Sequence, residues 1–197
     1  MQKIIFNMAE TKKQQKLGAI ISNLNSQDEK KVSKAIKSLE ANGDYSVIIP
    51  LARRLMDDIS EKNKSEVIEL LSSLKDTSVK GELMAIIDNE EFLKIRQLML
   101  TAVWNTKIDF SGYVDEFVFI AIHGSFLEAI DCLTIIENLE GPFMEEDLLE
   151  SESHLKNYMT SDAVKDEQRA VILSEIALKL KDFNADVDDG EFDLIVE

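Results

Sequence analysis

The chain has one cysteine in 197 residues, Cys132. No intramolecular disulfide can form, and a cysteine-based zinc site is excluded. A reducing compartment suits such a chain. Cys132 sits in the run Ile130-Asp-Cys-Leu133, inside an apolar helical pattern, and is expected to be a buried small hydrophobe. A nucleophilic thiol would need a base beside it, and the only histidines are His123 and His154. Proline and glycine are also scarce, at 2 and 7 residues. A β-sandwich or barrel needs more turn punctuation than this, so the shortage favours long helices. No stretch approaches the length of a membrane-spanning helix. The apolar run from Ile4 to Phe6 is far too short for the core of a signal peptide, and the expected location is the cytoplasm. The phosphate-binding, dinucleotide, nucleophile-elbow and zinc-protease motifs are all missing, so no enzyme activity, cofactor or metal is expected.

Basic residues are outnumbered as well. Lysine and arginine total 22 against 38 acidic residues, a formal net charge of -16. Residues 17–139 sum to -7, which argues against direct binding to a nucleic-acid backbone. The same charge favours solubility and steers basic partners inward. Residues 1–16 depart from this balance, with four lysines and one glutamate, and read as a flexible basic arm. Residues 182–197 hold seven acidic groups and no lysine or arginine. The segment 184–197 therefore reads as a disordered acidic tail, apart from the cluster Phe192-Asp-Leu-Ile-Val196.

What the chain has in abundance is helical spacing of apolar residues, recurring in pairs at roughly 30 to 36 residues. Ala35, Ile36 and Leu39 are matched by Leu70, Leu71 and Leu74, then by Leu100, Val103 and Trp104, then by Ile135, Ile136 and Leu139. Each set is followed by a turn and a second apolar helix. Leu17, Ile20, Ile21 and Leu24 form a stripe on a short first helix. Ser26 with Glu29 makes a capping-box pattern for the next helix, 27–41. Asn42-Gly43 stops that helix, and Asp44 can cap its partner, which carries Val47, Ile48, Leu51, Leu55, Ile59 and an early Pro50. The second pair places Val67, Leu70, Leu71 and Leu74 before an Asp76 or Thr77 cap, then Val79, Leu83, Ile86 and Ile87. The third pair covers 92–104 and 113–122, and Ile108 and Phe110 in its linker are expected to plug a gap between repeats. The fourth covers 125–139 and 144–159, with Leu148, Leu149, Leu155 and Tyr158 on its second apolar stripe. A last helix, 162–183, is expected to bury Val164, Val171, Ile172, Ile176 and Leu180 and to cap the array.

Over 27–159 the paired helices, their period, and the turns Asn42-Gly43-Asp44 and Lys75-Asp76-Thr77 resemble a HEAT-repeat or armadillo-type α-solenoid. HEAT repeats commonly carry a proline in the first helix and an Asp and Arg near the turn; here Pro50 lies in a second helix, and Arg96 is the nearest arginine. The fold this implies is all-α, an α-α superhelix in the form of a short HEAT-like solenoid of four to five antiparallel helix pairs over residues 17–183. The resemblance further implies a protein-binding scaffold whose second helices line a concave face. That face would present Arg53, Arg54, Asp57, Asp58, Lys80, Glu82, Asp115, Glu116 and Phe119.

The partner expected there is a protein or peptide of basic or mixed charge, drawn by steering and held by a few apolar anchors. The alternative is an acidic regulator or DNA mimic that competes for a basic nucleic-acid-binding partner. Three smaller patterns have plain explanations. Glu150 and His154 share a helix face at i, i+4, but a di-iron bundle would need a Glu-x-x-His pair on a second helix. The run 184–190 fails the calcium-loop register, because Asp189 and Ile195 stand where Gly and Glu are needed. His123 is placed to favour the C-terminal dipole of its own helix. Trp104, Phe110, Tyr113, Phe117 and Phe119 are expected mainly in the core, with an exposed Phe119 as a binding hot spot.

Overall fold

The computed structural model describes residues 2–42, 45–161 and 166–193. It is all-α, 82% helical, with no strand among the described residues. The helices are α1 (Gln2–Leu24), α2 (Glu29–Asn42), α3 (Ile48–Met56), α4 (Glu61–Ser72), α5 (Lys80–Ile87), α6 (Arg96–Asn105), α7 (Val114–His123), α8 (Phe126–Glu137), α9 (Glu145–Thr160) and α10 (Glu167–Asp193). Short 3-10 turns precede α3, α5, α6 and α7. The chain divides into two compact units, Met1–Thr106 and Lys107–Glu197, and the division falls inside the linker 105–112.

In the first unit the helices alternate between two rows. Helices α2, α4 and α6 are successive neighbours, α3 and α5 pack together in the other row, and α1 packs on α2. Helix pairs α3–α4 and α5–α6 join the rows. The cause is visible in the stripes: Val32, Ala35, Ile36 and Leu39 of α2, and Val67, Leu70 and Leu71 of α4, are all buried. The i, i+3, i+4, i+7 spacing gives each helix one apolar side. Each fully buried Leu or Ile contributes roughly 1.5–3 kcal/mol. The direction of the row is set by polar contacts at the α2–α4 seam. Buried Asn63 donates to the Glu29 carbonyl (3.5 Å), Ser33 Oγ (3.1 Å) and a Glu66 carboxylate oxygen (2.9 Å), and Ser33 Oγ donates to the same oxygen at 2.6 Å. Residue 29 pairs with 63 and residue 33 with 66, so α2 and α4 run parallel.

The second unit repeats the alternation. Helix α7 packs on α8 and α9, and α10 packs on α8 and α9. Phe110 and Phe117 meet edge-on in its core at 6.3 Å, and Cys132 is fully buried beside Ile135 and Ile136 on α8. Phe110 also meets Tyr113 at 6.2 Å. It is therefore a buried core residue of this unit. Ser125 and Glu128 close a reciprocal capping box on α8. The loop before α9 turns at Gly141, where φ is +79°. Its amide donates to Ser111 Oγ at 2.8 Å, and the Glu140 amide donates to Asp109 Oδ1 at 3.0 Å.

Several local expectations are revised. Asp28, in place of Ser26, caps α2: its carboxylate accepts from the Lys30 amide at 2.9 Å. A charged acceptor suits the positive end of the helix better than a hydroxyl does, and Ser26 Oγ accepts from the Asp28 amide. Val171 is exposed because the buried side of α10 is Ile172, Leu173, Ile176, Leu180 and Phe183, and Leu149 is likewise exposed beside buried Leu148. Helix backbone spans the region read as a basic arm and continues through Asp193, across the run considered as a calcium loop. Gly43, Asp44 and Val164 lie outside the described residues. Among the described residues, no helix is long and apolar enough to cross a membrane.

Candidate functional site

The nine residues expected on a binding face fall into two groups, one on each unit. Arg53 and Arg54 are on α3, Asp57 and Asp58 follow it, and Lys80 and Glu82 are in the first turn of α5. Arg53 and Asp58 are exposed, and Lys80 and Glu82 are half-buried. Arg54 is different: it is 5% exposed. Its guanidinium donates to Asp57 Oδ2 at 2.8 Å and to the Ser26 carbonyl at 3.0 Å. A cation goes inward only when such partners are supplied, and here they brace the end of α3 against the turn between α1 and α2. Arg54 thus belongs to the packing of the first unit and not to an open face.

Asp115, Glu116 and Phe119 lie on α7 of the second unit. They share a side because 115, 116, 119 and 123 recur at i+3 and i+4 along a helix. Phe119 is 48% exposed, whereas Phe117, two residues earlier and on the opposite side of α7, is fully buried. Its ring is flanked by both histidines of the chain. The His123 ring lies 4.4 Å away, and the His154 ring of α9 lies 5.3 Å away, tilted toward an edge-on contact. Glu150 Oε1 stands 3.8 Å from His154 Nε2. At the other end of the same seam Asp147 of α9 faces Asp115. Its carboxyl is pushed above the usual range, first by burial and then by Asp115, Glu146 and Glu150. Residue 115 faces 147 while 119 and 123 meet 154, so α7 and α9 run parallel, as α2 and α4 do.

The end of α7 is held by α10. Arg169 donates to the carbonyls of Ala121 (2.6 Å), Ile122 (3.1 Å) and Gly124 (2.8 Å). This cation takes the place at the C-terminal dipole that the sequence pattern gave to His123. His123 in turn is held below the ordinary imidazole range, by burial first and then by His154 and Arg169. Sequence reasoning found Phe119 and its two acidic neighbours. It treated His123 and His154 as unrelated, although Phe119 and His123 stand at i, i+4 and so share a face. Trp104, also partly in solvent at 42% exposure, lies in the first unit.

Charge is divided unevenly between the units. Residues 1–106 carry 16 basic and 15 acidic side chains, whereas residues 107–197 carry 6 basic and 23 acidic ones. The acidity of the chain therefore resides in the unit that carries Phe119. No family model, curated protein or solved structure matches this chain.

Proposed function

We propose that this protein is a non-catalytic interaction module, a short divergent HEAT-like array whose α7–α9 face receives a basic peptide or helix from a partner protein. Alternating rows with parallel neighbours in each unit support the array reading, since stacked helix pairs generate that pattern. The binding reading rests on one observation: an aromatic ring half in solvent, set between two helices that supply Asp115, Glu116, Asp147 and Glu150. Aromatic anchors with a charged rim are the usual carriers of interface energy and of association rate. The test begins with affinity purification and mass spectrometry to obtain a partner, followed by binding kinetics. Asp115→Lys with Glu116→Lys is expected to slow association, and Phe119→Ala to weaken affinity about tenfold or more through faster dissociation. Unchanged kinetics in both variants would remove this face from the interaction.

The 23 acidic residues of the second unit favour one further reading, an acidic regulator that occupies a nucleic-acid-binding partner's basic surface. Competition separates the two. Duplex DNA displaces the captured partner if its DNA site is the one engaged, and leaves the complex intact if the contact is elsewhere.

A further inference from the structure

The α7–α9 face brings together the two histidines of the chain, an exposed aromatic ring and an acidic cluster, within a unit otherwise poor in cations. We propose that this face is proton-gated: protonation of the His123–Phe119–His154 cluster releases the basic partner that the neutral cluster admits. The inference rests on the binding reading above and adds its regulation.

The geometry supplies two mechanisms that act in the same direction. The first is charge. Beside the imidazoles stand Glu150 of α9, 3.8 Å from His154, and Arg169 of α10, whose charge reaches His123. The other end of the seam carries Asp115 and Glu116 on α7 and Glu146 and Asp147 on α9, and α8, packed on α7, carries buried Glu128, which accepts from the Ser125 amide. With both rings neutral, the carboxylates dominate the field that a basic partner meets. With both protonated, two cations stand on either side of the anchor, and Glu150, 3.8 Å from His154, is drawn into an ion pair within the protein. The second mechanism is occlusion. An imidazolium is attracted to an aromatic face within about 6 Å, and both rings already lie inside that distance of Phe119. Protonation therefore draws them over the ring that the partner needs.

At His123 the neutral form is favoured. Burial and the neighbouring Arg169 and His154 hold His123 below the ordinary imidazole range.

The test uses a 20-residue amphipathic peptide of Leu and Arg, whose own charge does not change between pH 5.5 and 7.5, followed by fluorescence anisotropy with the full chain. Binding to the wild type is expected to be roughly fivefold or more weaker at pH 5.5, the effect of two added charges within several ångströms of the peptide's own. His123→Gln with His154→Gln is expected to abolish that dependence and keep the affinity seen at pH 7.5. If the double variant loses affinity at acid pH as the wild type does, the gate is overturned while the docking face stands. If Asp115→Lys with Glu116→Lys leaves binding unchanged at pH 7.5, the docking reading itself fails and the gate with it. A second readout needs no partner: the Phe119 ring signals in NMR are expected to move with the histidine titrations of the free protein. Phe119 signals that ignore those titrations would overturn the occlusion mechanism directly.

Discussion

Replacing Arg169 by methionine removes the only group that α10 sends to the end of α7 in the contacts described above, and the consequence can be worked from geometry. Three carbonyls lose donors at 2.6, 3.1 and 2.8 Å. A hydrogen bond to a charged group contributes about 1.5–3 kcal/mol net when taken singly. The three share one guanidinium at a half-buried position, so water can recover part of the loss. Methionine also keeps most of the aliphatic stem. The expected destabilisation of the second unit is therefore about 2–3 kcal/mol, well below the threefold sum of single bonds. Arg169→Lys retains the charge without the fork and is expected to recover less than half. Urea unfolding followed by circular dichroism reads the midpoint, with the slope held in common among variants. A companion NMR titration reads His123, whose pKa is expected to rise once the neighbouring cation is gone, since Arg169 is one of the charges that lowers it. A loss below about 0.5 kcal/mol, within the range of ordinary surface substitutions, would refute the view that Arg169 fastens α7 to α10.

Other perturbations probe other parts of the molecule. Leu71→Ala on α4, where the side chain is fully buried, is expected to cost about 2–5 kcal/mol in the same unfolding assay. Lys107 has φ +57°, a conformation that glycine adopts without strain, so Lys107→Gly is expected to raise stability by about 0.5–1 kcal/mol. Burial pushes the Glu66 carboxyl upward, but hydrogen bonds from Ser33 and Asn63 and the charge of Lys62 outweigh it, and the net pKa is lowered. A depressed folded-state pKa stabilises above the unfolded value of 4.5, and that stabilisation is lost as pH falls through the folded-state value. The unfolding midpoint of the wild type is expected to drop more steeply below pH 4.5 than that of Glu66→Gln, and parallel curves would contradict the assignment.

Much of the helical framework was legible because each stripe is a local property. Val32, Ala35, Ile36 and Leu39 announce the buried side of α2 by their spacing alone, and all four are buried. Asp76 caps a helical turn where its chemistry suggested. The same logic failed where two periodic readings compete within one helix: Val171 fits a stripe with Leu178 as well as with Ile172, and only packing decides between them. Tertiary contacts between polar groups were beyond reach. The burial of Arg54 depends on a carbonyl 28 residues earlier, and the capture of α7 by Arg169 spans 45 to 48 residues. The candidate site was half legible for the same reason. Phe119 stood out on its own helix, whereas its second histidine neighbour comes from α9, 35 positions along.

The parallel course of α7 and α9 has a geometric consequence for any ligand. Residues at matching heights are alike, acid beside acid at the Asp115–Asp147 end and imidazole beside imidazole at the His123–His154 end. The face thus differs in chemistry from one end to the other. On the docking reading proposed above, a basic helix lying along the seam would have two orientations of unequal energy, because its basic end favours the Asp115–Asp147 end. On that reading, the direction in which a basic helix binds, as well as its affinity, would follow from the alignment of two helices.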